Sequence, residues 1–225
     1  AKGSIYMNGP ANYFRIFNNS ADLTEATAQI FLGVRMECAK CHHHPFEKWS
    51  QDDFYGLAGF FNGLERKPIA QGRVFVYHAG LRETRIPISN RLVPTRPLDG
   101  PPMTEATGDP RRHLANWLVA PENPWFSKLV GNRIWKHFLG RGLVEPEDDL
   151  RTTNPSTNES LLGLLARKTV EAKFDLKELM RFIANSRTYQ LAGTTNSTNR
   201  DDDQNFSHHY AKRLPAEVLL DAIGQ

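Results

Sequence analysis

Only two of the 225 residues are cysteine. A disulfide framework is thereby excluded, because a single pair three positions apart, Cys38 and Cys41, cannot staple a chain of this length. Nor is one needed, since the length suffices for a buried core of its own. No apolar run approaches the ~18 residues that a membrane span requires. An excess of one charge is lacking too: 28 Lys and Arg stand against 25 Asp and Glu, a formal net charge of +3. The surplus is spread along the chain, and the clustered basic stripe of a nucleic-acid binder is missing. The chain also has no phosphate-binding glycine loop, no H-E-x-x-H and no Ser, His and Asp arrangement of a hydrolase. No charged stretch followed by an apolar one opens it, so no signal peptide is legible. It starts without Met and stops inside an amphipathic pattern, RLPAEVLLDAIGQ, so both ends read as cuts through something longer.

What is present is mostly helical periodicity. From Ser20 to about Cys38, apolar residues recur at helical spacing (Leu23, Ala26, Ile30, Phe31, Val34), with Ser20 or Asp22 placed to cap the first turn. This predicts a helix that delivers Cys38 at its C-terminal end. After Pro45, WSQDDFYGLAGFF predicts a short apolar helix capped by Ser50, with Phe54, Leu57, Ala58 and Phe61 inward. Between Leu64 and Pro110, prolines crowd around short alternating segments at Arg73 to Tyr77 and Thr84 to Ile88, which predicts a small hairpin in an extended linker. Further helices are expected from Asp109-Pro110, over Phe126 to Leu139 ending at Gly140, over Glu159 to Ala172, over Leu176 to Ser186 capped by Asp175, and after Pro215. The expected fold is mainly α: a helical segment over 1–65, a Pro-rich linker with a small β-hairpin over 66–108, and a second helical bundle segment over 109–225.

Both thiols fall in one run, Cys-Ala-Lys-Cys-His-His-His over 38–44. C-x-x-C-H is the attachment pattern of c-type haem. Two thiols one turn apart can add to two vinyl groups on one porphyrin edge, and the following His42 then lies beneath the iron as proximal ligand. The helix from Phe54 to Phe61 is expected to wall the ring. Zinc is the alternative, with Cys38, Cys41 and His residues such as His44 in a noncatalytic binding module, although structural zinc sites draw on separated ligand pairs. A thioredoxin-type pair would need a βαβ setting that is not legible here. His44 can also act in a second shell around His42. Distal candidates on iron are His137, His78, His113, Met103 and Met7. A six-coordinate iron implies electron transfer, and an open position implies peroxidase-like chemistry. His208-His209 reads as a solvated pair, Asp201 to Asp203 as a flexible loop, and Glu147, Asp148 and Asp149 as capping or salt-bridging carboxylates.

The stretch ATAQIFLGVRMECAKCHHHPFEKWSQDDFYGLAGFF resembles the core of a planctomycete cytochrome-c-type domain. Downstream, NRIWKHFLGRGLVEPEDDLRTTNPST, DLKELMRFIANSRTYQ and RLPAEVLLDAI resemble the planctomycete-specific domain that accompanies it. The resemblance implies the middle of a longer exported or periplasmic multi-domain protein. It also implies haem held by Cys38, Cys41 and His42, with His44 and Pro45 part of the family pattern. The function expected is electron transfer, with a redox partner protein or other domains of the same chain as partners and no nucleic acid.

Overall fold

The computed structural model describes residues 2–4, 6–17, 19–70, 73–104 and 108–224. Short strands and helices alternate along it: β1 Gly3–Ser4, α1 Tyr13–Ile16, α2 Ser20–Thr27, α3 Gln51–Ala58, β2 Leu64–Ile69, β3 Arg73–His78, β4 Thr84–Arg85 and β5 Leu92–Val93. There follow α4 Arg111–Leu118, α5 Phe126–Leu139, α6 Glu159–Glu171, α7 Leu176–Ala184 and α8 Ala216–Ile223. Helix makes up 39% and strand 8%, so the fold is mixed α/β and the expected mainly-α pair of helical segments is overturned.

The correction is concentrated in the proline-rich stretch, which is folded sheet and packed loop. β2 and β3 form an antiparallel ladder from Leu64 opposite His78 to Ile69 opposite Arg73, and β1 joins the far side of β3 through Gly3 opposite Val76. β4 pairs separately with β5, Thr84 opposite Val93. Arg73 to Tyr77 and the strand at Thr84 therefore belong to two different sheets. Pro68 sits in β2, an edge strand, where a missing N–H is tolerated. Beyond β5 the chain packs onto α3, with the Arg96 N–H donating to the Gly56 carbonyl at 3.1 Å. Leu98 joins the core.

The chain divides into two compact units, one of residues 1–126 with 148–154, the other of 127–147 with 155–225. The first is built around Leu23, Leu32, Met36, Trp49, Phe54, Leu57, Phe60 and Leu114. Here the cap of α2 lies one residue before the first expected one: the Asn19 side chain accepts from the Asp22 N–H at 2.8 Å. It continues through a wider π turn, Ala28–Leu32, and stops at Gly33, whose φ of 66° is left-handed. That glycine corrects the expected helix to Cys38, because its left-handed backbone ends the helix five residues early. The 148–154 segment returns to this unit as a strap: the Leu150 N–H donates to the Gly33 carbonyl at 2.8 Å, and Asp148 accepts from Gln29 at 2.7 Å and Arg35 at 3.2 Å.

In the second unit α5, α6 and α7 lie where periodicity placed them. Gly140 closes α5 at φ 83°, and Asp175 caps α7 by accepting from the Lys177 N–H at 2.9 Å. Gly131 lets α5 approach α6, since a Cβ there would stand 3.0 Å from the Leu165 Cβ. The loop after α5 is held by Asn132, fully buried, whose Oδ1 accepts from the Leu143 and Val144 N–H groups at 2.7 and 3.1 Å while its Nδ2 donates to the Val144 carbonyl at 2.9 Å.

Candidate cofactor-attachment site

Beyond Gly33 the chain runs extended to Met36 and then makes a single 3-10 turn, Glu37–Lys40. The Cys38 carbonyl accepts from the N–H groups of Cys41 and His42, both at 3.2 Å, so the whole C-x-x-C-H run is one tight turn. Ala39 and Met36 are buried and pin it to the core, while Cys38 and Cys41 are free and exposed. Two helices grip the turn from behind. Gln51 Nε2 donates to the Cys41 carbonyl at 3.0 Å, and the Tyr55 hydroxyl donates to the Lys40 carbonyl at 3.1 Å. These residues are four apart and share one face of α3. Burial raises the Tyr55 phenol above its ordinary value, which keeps it a donor. From α2, Glu25 pairs with Lys40 at 3.2 Å, and that hydrogen bond raises the ammonium's pKa against the opposing effect of burial. Gln51 and Tyr55 escaped the sequence reading; their only signal is the four-residue spacing just behind the Ser50 cap.

The imidazoles have distinct roles. His42 Nδ1 lies 2.6 Å from the His43 carbonyl oxygen. A carbonyl only accepts, so Nδ1 carries the proton and Nε2 of the neutral ring keeps its lone pair. His44 is the reverse. Its Nδ1 accepts from the N–H groups of Phe46 and Glu47 at 3.2 and 3.0 Å, and its backbone N–H donates to the Trp49 carbonyl at 2.8 Å. His44 thus closes the loop to Trp49 and retains no free lone pair when neutral.

Two exposed thiols on one turn and an imidazole with a free Nε2 fit the donor set of covalent haem attachment. The apolar wall expected from α3 is a different matter. Phe54, Leu57 and Phe60 are completely buried and face the core, whereas the large apolar side chain on the outer face, Phe46, is 75% exposed. Among the described residues the turn therefore stands on an open face. Among them, no group of three or more His, Cys, Asp or Glu side chains converges on a metal position.

The distal candidates are scattered. His78 has both nitrogens committed: Nδ1 accepts from the Gly80 N–H and Nε2 donates to the Phe60 carbonyl, each at 3.1 Å, and burial holds its pKa below the ordinary value. His113 stacks on Phe60 with 6.1 Å between ring centres. Met103 packs against the first unit's core, and Met7 is exposed. His137 lies exposed on α5 in the second unit, its ring edge-on to Phe138.

The acidic residues are absorbed by partners. Glu147 pairs with Lys136 at 2.6 Å, Asp148 with Arg35, and Asp149, 1% exposed, with Arg151 at 3.1 Å and Arg35 at 3.7 Å. Asp202 accepts from the backbone N–H groups of Gln204, Asn205 and Ser207, which close its loop; the Ser207 side chain first, and then these amides, hold the carboxyl well below the usual range. His208 and His209 pack their rings against Tyr210 and Tyr189.

Residues 110–225 match the family model described as PSD1, protein of unknown function (DUF1553), over just more than half of the chain. Residues 7–66, which contain the Cys38 to His44 turn, match the model described as PSCyt2, protein of unknown function (DUF1549). No curated protein and no solved structure matches the chain.

Proposed function

The chain belongs to the PSD1 family of proteins of unknown function (DUF1553), and from that premise we propose that its Cys38 to His42 turn is a covalent attachment site for c-type haem in an exported electron-transfer protein. The cytochrome-c-type character suggested by the sequence is part of this proposal. The observation that carries it is the donor set on one exposed turn: two free thiols, and His42 with Nδ1 bonded to a backbone carbonyl and Nε2 left to bind iron. Cys38 and Cys41 would each add Sγ to one vinyl carbon and the proton to the other, so no oxidant is required. The bound group would supply one-electron chemistry.

This chain's own residues do the positioning. Gln51 and Tyr55 fix the backbone between the two thiols, and His43 sets the His42 tautomer by accepting its Nδ1 proton. An open face suits exchange of electrons with a docked redox partner, whether a separate protein or another part of a longer chain. Expression in a bacterial periplasm with c-type haem maturation machinery tests the reading. The expected product has a Soret band that survives acid-acetone extraction and disappears in the Cys38→Ser, Cys41→Ser double variant. Protein that carries stoichiometric zinc and no Soret band would overturn it. With haem attached, carbon monoxide binding by the reduced protein would move the function from electron transfer to small-molecule chemistry.

A further inference from the structure

The first unit contains a cavity of about 330 Å³, within the lower range of small-molecule sites. Its wall is apolar, with Tyr13, Phe31, Phe61, Leu114 and Leu118 contributing most of it, and Arg111 supplies the charged group. The Tyr13 hydroxyl and Thr27 Oγ1 share one hydrogen bond at 2.8 Å.

Arg111 is 8% exposed and only partly satisfied. Its Nε and Nη2 donate to the two oxygens of Asp109 at 2.9 and 2.6 Å, and its guanidinium lies over the Phe14 ring at 4.5 Å. Nη1 is buried and has no partner among the described residues. Buried donors are seldom left unmet. Nη1, with its two N–H groups, is thus an unpaired donor on a residue that lines an otherwise apolar cavity.

Charge decides what that donor can accept. Burial pushes the Asp109 carboxyl up, but the hydrogen bonds and charge of Arg111 outweigh it and hold the carboxyl below its ordinary range. Asp109 is therefore ionised at neutral pH and already neutralises the guanidinium. A second carboxylate would arrive beside an ionised neighbour with no free countercharge. A neutral acceptor meets no such penalty, and the surrounding rings favour a flat aromatic body, which they can contact edge-on or offset. We propose that this cavity binds a neutral aromatic molecule bearing one carbonyl oxygen, which accepts from Arg111 Nη1 while the ring lies among Tyr13, Phe31 and Phe61. The inference does not depend on haem at Cys38 and Cys41.

The test uses the full chain and acedan, a neutral dimethylamino-naphthyl ketone whose emission moves to the blue on leaving water. Saturable blue-shifted emission is expected. The carbonyl-free dimethylaminonaphthalene and the anionic dimethylaminonaphthoate should each bind about ten-fold more weakly, the effect of one lost hydrogen bond or one unfavourable charge. Ala115 is exposed at the cavity's edge, so Ala115→Trp should block it and abolish binding with an unchanged circular dichroism spectrum. Arg111→Lys should erase the ketone's advantage over the carbonyl-free dye. Non-saturable acedan emission, naphthoate binding as tight as the ketone's, or full binding by Ala115→Trp would each overturn the proposal.

Discussion

Replacing Asp53 by alanine should loosen the joint that carries the C-x-x-C-H turn, and the structure sets the size of the effect. Asp53 does two jobs. One carboxylate oxygen accepts from the Ser50 N–H at 2.9 Å and the Ser50 hydroxyl at 2.7 Å, while the Asp53 N–H donates back to Ser50 Oγ, a capping box at the start of α3. The other accepts from Arg96 at 2.9 Å and ties α3 to the proline-rich stretch. The Ser50 cap on the residue-53 N–H survives, but losing the reciprocal half of the capping box leaves the Ser50 N–H and hydroxyl without their acceptor, which costs about 1 kcal/mol. The pair with Arg96 is partly buried, with side chains 31% and 17% exposed, and after discounting for solvent screening it contributes about 1 kcal/mol more. Asp53→Ala should therefore lower the free energy of unfolding by about 2 kcal/mol, a large share of the stability of an ordinary domain. Urea unfolding of Asp53→Ala, Arg96→Met and the double variant, followed by circular dichroism, separates the two parts. The cycle should give a coupling of about 1 kcal/mol. A total loss below about 0.5 kcal/mol, or strictly additive single losses, would refute this account.

Asn132→Ala should be costlier, because it strands two buried N–H groups and one buried carbonyl in the loop after α5. A loss of about 3 to 5 kcal/mol is expected in the same urea assay, and a loss under about 1 kcal/mol would show that those groups find other partners. His78 predicts an acid limb in the stability curve. Burial depresses its folded pKa, so the unfolded chain takes up the proton first. The stability that His78 contributes is complete above the unfolded value of about 6.5 and is lost as pH falls through the lower folded value. His78→Asn should flatten that limb, and an unchanged slope across that window would remove His78 as its origin.

The elements that periodicity placed well are those whose boundary chemistry is written in the same few residues. Ser50 and Asp53 start α3, Asp175 starts α7, and Gly140 ends α5. The helix expected to reach Cys38 failed because its apolar spacing continues past Gly33, and a left-handed glycine outweighs a pattern that merely persists. The expected hairpin was mispaired: β3 and β4 lie where alternation put strands, but β3 pairs with β2, whose Pro68 was read as a breaker and in fact occupies an edge strand that accepts it. At the candidate site, the C-x-x-C-H run was legible because its residues are contiguous in the sequence. The open face was not, because no local signal tells whether Phe54 and Phe60 turn toward a ligand or, as here, into the core. Nor could spacing reveal that both ring nitrogens of His78, and Nδ1 of His44, are spent on backbone groups.

The strap over 148–154 also imposes an order on biosynthesis. The first 126 residues leave the ribosome before the segment that completes their unit has been made, and the intervening residues 127–147 belong to the other unit. Until Asp148 and Leu150 emerge, the nascent chain carries Arg35 without its two carboxylates and Gly33 with its carbonyl unmet by the Leu150 N–H. The unit that bears the C-x-x-C-H turn can therefore close only after the start of its neighbour has been synthesised.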